Sequence, residues 1–112
     1  MRGNFYYPDT RVLRRKFAQT ASTERAQALL NSFAFAAMAH VLPWCDPNNK
    51  RLRDPLSTAH RNLRGMIRAA RHLPPVHISL HELCLAIDGS GSARRSARSA
   101  LSRAMKDSFG LV

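Results

Sequence analysis

Residues 28–42 read ALLNSFAFAAMAHVL, and Pro43 follows. On a helix, Leu29, Leu30, Phe33, Ala37 and Val41 make one apolar stripe, while Phe35, Met38 and Leu42 lie off it. A helix that is apolar all round must be covered on several sides. In a short chain it is therefore either the central core helix or the contact between two subunits. Ser22 marks its start and Pro43 its stop. The longest apolar run, 33–42, is ten residues even when His40 is counted. A membrane span needs about 20, so no transmembrane helix is expected.

With 112 residues the chain has the size of one compact domain. Its 45% hydrophobic content is that of a folded protein. Against 7 Asp+Glu it carries 18 Lys+Arg, fifteen of them arginine, for a net charge of +11. The planar guanidinium fork suits phosphate and carboxylate, so a polyanionic partner is the first inference. The two cysteines, Cys45 and Cys84, are too few for a disulfide scaffold or a four-cysteine zinc module.

Residues 1–21 are expected to form a basic arm and short helix, and 22–112 a single helical domain. Phe5, Tyr6 and Tyr7 stand ahead of Pro8, and Asp9 or Thr10 can cap a short helix carrying Arg11, Arg14 and Arg15. An Arg-rich, acid-poor start also describes a mitochondrial transit peptide. Cytoplasmic, nucleoid-associated placement is the expectation, with mitochondrial placement its alternative. A secretory signal is excluded because no apolar stretch follows the basic start.

The stretch PWCDPNNK at 43–50 is a break between elements. Asp54 and Pro55 then open another predicted helix, with Leu56, Ala59, Leu63, Met66, Ile67 and Ala70 at helical spacing. Arg61, Arg64, Arg68 and Arg71 fall on one strip beside that apolar face, with no interleaved acid. Exposed helix faces ordinarily mix signs for pairing, so this strip is a candidate phosphate-binding surface.

Val76, His77 and Ile78 suit a short edge strand. Ser79 and Glu82 fit a capping box that opens a helix burying Leu80, Leu83, Cys84 and Ile87. A turn over 88–92 leads to a final helix over 93–108. Ala93, Ala97, Ala100 and Ala104, with Leu101 and Met105, line its predicted inner side. Arg95, Arg98, Ser99, Ser102 and Lys106 face the other way, as candidate base-reading residues. Ser92 and Arg94, at its start, join the candidate phosphate contacts.

The segment 77–112, HISLHELCLAIDGSGSARRSARSALSRAMKDSFGLV, resembles the core of winged helix-turn-helix DNA-binding domains. The resemblance implies a strand, a Ser-capped helix, a turn and a recognition helix, with Gly110, Leu111 and Val112 where a wing would begin. It departs from the family in lacking the wing hairpin and in a turn longer than three to four residues. The expected fold is mostly α, with a helix-turn-helix at 79–108 and at most a minimal two-stranded sheet.

Other chemistry finds little support. His77, His81 and Cys84, with Cys45, have ligand chemistry, but a Ser79 cap leaves His77 outside the helix, and no metal is expected. The 89–92 GSGS lacks the Lys-Ser/Thr of a phosphate-binding loop. Asp54, Glu82 and Asp88 have capping or turn roles, no carboxylate pair is spaced for acid–base work, and no nucleophile motif surrounds a cysteine or serine. The expectation is therefore a non-enzymatic nucleic-acid-binding protein, duplex DNA favoured over RNA, without cofactor or small-molecule substrate. A transcriptional regulator or a plasmid or phage accessory factor fits that description. Phe35, Met38 and Leu42 are the candidate homodimer contact. The alternatives are a structural RNA-binding protein of a ribosomal particle and a small adaptor for an acidic protein surface.

Overall fold

The computed structural model describes residues 9–41, 68, 71 and 73–109, the side chains of 38–41 and 109 apart. The fold over these residues is mostly α. Its helices are α1 (Thr10–Gln19), α2 (Thr23–Val41), α3 (Leu80–Asp88) and α4 (Gly91–Phe109).

Asp9 starts α1: its carboxylate accepts the Arg11 N–H at 2.9 Å, which satisfies one orphan donor of the first turn. The Arg11 guanidinium also reaches this carboxylate at 3.4 Å. Hydrogen bonding to Arg11 holds the Asp9 pKa below the usual aspartate value. At the other end the Thr20 N–H returns to the Phe17 carbonyl at 3.2 Å, and the Thr20 hydroxyl donates to the Lys16 carbonyl at 2.7 Å. Leu13 is wholly buried in the same core as α2, α3 and α4, so α1 is a packed element of that core.

Every residue of α2 from 28 to 37 is buried, which is the cover that its all-round apolar sequence demands. Phe33 and Phe35 are both 0% exposed and belong to one cluster with Leu13, Val76, Leu83, Leu101 and Met105. This corrects the dimer expectation for Phe35: the chain's own core covers it fully and leaves it no surface for a second subunit. The Met38 side chain and Leu42 lie outside the described residues.

No strand forms among the described residues, so the edge strand expected at 76–78 is corrected as well. The segment 74–79 is irregular, with Val76 and Ile78 turned into the core and His77 exposed between them. Over 74–76 its backbone groups meet side chains rather than a second strand. The Asn31 carboxamide oxygen accepts the Val76 N–H at 2.8 Å, and its amino group donates to the Pro74 carbonyl at 3.3 Å. Gln27 donates to the Val76 carbonyl at 3.1 Å and to the Asn31 carboxamide oxygen at 2.9 Å. The Ser108 hydroxyl lies 2.7 Å from the Pro75 carbonyl, fixing the segment to α4. Two amides one helical turn apart on α2 thus take the place of a neighbouring strand.

Candidate nucleic-acid interface

Helix α3 begins where the sequence places it. The Ser79 hydroxyl oxygen accepts the Glu82 N–H at 3.1 Å, and the Ser79 carbonyl accepts the Leu83 N–H at 3.0 Å. Its buried side is Leu83, Cys84, Ala86 and Ile87, while Leu80 is only partly covered. Burial raises the Cys84 thiol pKa; the Arg14 charge opposes that shift and Asp88 adds to it.

The turn is shorter than the sequence suggests. Only Gly89 and Ser90 separate the two helices, because α4 starts at Gly91 rather than Ala93. The two glycines serve different needs. A Cβ at Gly89 would stand 2.5 Å from the Leu85 carbonyl oxygen, the group that accepts the Gly89 N–H at 2.8 Å. Gly91 has open space around it, but its φ of +61° is one that side chains disfavour.

Helices α3 and α4 make the most extensive helix pairing among the described residues. Ala97, Leu101 and Met105 form the buried stripe of α4, with Ala100 and Ala104 partly covered. Ala93, expected on that inner side, is instead exposed along with the rest of 91–96. Opposite the buried stripe stand Ser92, Arg95, Ser96, Ser99 and Arg103, all exposed and spaced i, i+3, i+4, i+7 and i+11. Arg94 is exposed too. Arg94, Arg95 and Arg103 form no ion pair among the described residues; the pairs that are made join Arg11 to Asp9 and Arg14 to Asp88.

The remaining base-reading candidates occupy the flanks. Ser102 and Lys106 are half-buried. Arg98, also half-buried, donates from Nε to the Ala86 carbonyl at 3.0 Å, across the helix pair. Its position is one residue, about 100°, round from buried Ala97, which turns it toward α3. Arg98 therefore has a structural bond that the outward reading did not include. Arg98→Ala should lower stability by about 1–2 kcal/mol, the scale of a charged donor on a carbonyl, whereas Arg95→Ala should stay within about 0.5 kcal/mol. Paired thermal melts check this, and equal melting temperatures for the two variants would refute it.

Arg103 is the residue that the wheel reading left out. It lies eight positions after Arg95 and four after Ser99, so the same periodicity finds it once the buried stripe is known to be Ala97, Leu101 and Met105.

At the far end of α3, the Thr10 hydroxyl donates to the Asp88 carboxylate, and Arg14 Nη1 lies 3.2 Å from the Thr10 hydroxyl oxygen and 4.0 Å from Asp88. This cluster joins α1 to the α3–α4 turn. Of the arginine strip, Arg68 and Arg71 are exposed, while Arg61 and Arg64 lie outside the described residues. His77 and His81 are exposed and Cys84 is buried, and no three metal-ligating side chains cluster among the described residues. Cys45 lies outside them. No described helix is long and apolar enough to cross a membrane.

Compared with protein-family models, with curated proteins and with solved structures, the chain matches none of them.

Proposed function

We propose that this chain is a small DNA-binding protein that uses α3 and α4 as a helix-turn-helix and lays α4 in the major groove. The observation that carries this reading is the outward face of α4: exposed arginine and serine at helical spacing, with no acid before Asp107. The major groove, about 12 Å wide, admits one helix. Arginine meets guanine O6 and N7 with two parallel bonds, and serine donates to bases or phosphates. The close α3–α4 packing over Ala97, Leu101 and Met105 supports the same reading, because it fixes the face rigidly on the body.

In this arrangement Arg95 and Ser99 reach base edges, and Arg94, Arg103 and Ser92 take phosphates. Binding is equilibrium association with a duplex and no chemical step. A regulator or an accessory DNA-binding factor would act in this way.

The test is a fluorescence-anisotropy titration with mixed-sequence duplex, single-stranded DNA and single-stranded RNA at several salt concentrations. Duplex should bind best, with a linear fall of log affinity against log salt. Arg94→Ala with Arg103→Ala should weaken binding to all duplexes and flatten that slope by about 0.9 for each phosphate no longer neutralised. Arg95→Ala should reduce discrimination among duplexes by about 1–3 kcal/mol. Absence of duplex preference, or tighter binding to single-stranded RNA, would overturn the reading.

A further inference from the structure

Between the end of α1, the first turns of α2 and Arg71 lies a cleft of about 280 Å³, lined by Lys16, Gln19, Thr20, Arg25, Leu29 and Arg71. Among the described residues its lining holds three cations, drawn from three separate parts of the chain, and no acid. None of the three forms an ion pair among the described residues. Glu24 shares the adjoining cleft with Arg71 but does not pair with it.

Stability explains only one of these cations. Lys16 stands in the last turn of α1, where a positive charge complements the negative end of the helix. Arg25 stands in the first turn of α2, where the helix end is itself positive and a cation is disfavoured. Arg71 is exposed and adds a third like charge to the same concavity. Like charges brought together in a recess raise its potential and concentrate anions there. With the Gln19 amide as a neutral donor, the lining matches a group of several negative oxygens.

We propose that this cleft binds a phosphoryl group, held by the forked donors of Arg25 and Arg71 and the ammonium of Lys16. Its residues are separate from the α4 face, so the site does not depend on the duplex reading. The phosphoryl group belongs either to a nucleic-acid backbone or to a small phosphorylated molecule, and the experiment separates the two.

The full chain, isotopically labelled, is titrated with pyrophosphate at low ionic strength and followed by amide chemical shifts. Saturable shifts are expected at Gln19, Thr20 and Arg25. The Arg25→Gln, Arg71→Gln double variant should bind about tenfold more weakly or worse, and both exposed sites leave its melting temperature near the parent's. Shifts that do not saturate, or equal affinity in the double variant, overturn the proposal. Given pyrophosphate binding, the double variant is then titrated with duplex. A flatter salt slope assigns the phosphoryl group to the nucleic-acid backbone; an unchanged slope assigns it to a small phosphorylated molecule. Pyrophosphate affinity should survive Arg95→Ala and Arg103→Ala, so a parent chain that binds pyrophosphate in the cleft but shows no duplex preference is a failure of the α4 reading alone.

Discussion

Asn31→Leu should destabilise the protein by about 2–4 kcal/mol, read from the urea midpoint at unchanged slope. Leucine has a similar size and would fill the site, so the loss is one of partners rather than of volume. Asn31 is 3% exposed and Val76 is 0% exposed, so water cannot readily replace the carboxamide. The substitution strands the Val76 N–H, bonded at 2.8 Å, and the Pro74 carbonyl, bonded at 3.3 Å. A buried group left without its partner costs about 1–3 kcal/mol. A change below about 0.5 kcal/mol would mean that the 74–76 segment finds other partners, and the carboxamide clamp would lose its role.

That clamp marks the boundary of what local pattern can tell. The burial of α2 was legible because apolar residues surround its axis, and the Ser79 cap because Glu82 follows at the right interval. The mostly helical fold follows from such local signals. Asn31 was not legible, because its partners at 74 and 76 lie more than 40 residues away and a polar residue within an apolar run carries no address. The edge strand was expected from Val76 and Ile78 because β-propensity cannot show whether a second strand is at hand. For α4, helical spacing brought Arg95 and Ser99 onto one face, but it left out Arg103 and turned Arg98 outward. The outcome there depends on the true angular position of the contact with α3. The turn is shorter because Gly91 adopts a positive φ and lets α4 start two residues early.

Gly89→Ala should cost about 1–3 kcal/mol and exceed the loss from Gly91→Ala, which should be near 1 kcal/mol. At Gly89 the new methyl would meet backbone, the Leu85 carbonyl oxygen at 2.5 Å, so helix α3 or the turn has to move. At Gly91 nothing stands within 4 Å, and only the left-handed backbone opposes a side chain. Thermal melts of the two variants rank these effects. A larger drop for Gly91→Ala would show that backbone conformation, not close approach, governs the turn. The same substitution at Gly89 should also weaken duplex binding without touching any proposed contact, because it tilts α4 on α3.

The bonds that hold the helices together differ greatly in the length of chain they enclose. Arg98 meets Ala86 only twelve residues away, whereas Thr10 meets Asp88 across 78. Closing a long loop loses more chain entropy than closing a short one, and it takes longer to search. The α3–α4 hairpin can therefore condense early, from neighbours along the chain, and α1 can pair with α2 just as locally, whereas the bond from Thr10 to Asp88 forms only after the distant ends have met. Tying α1 to the α3–α4 turn is thus the costlier closure of these two, and it spans most of the described chain.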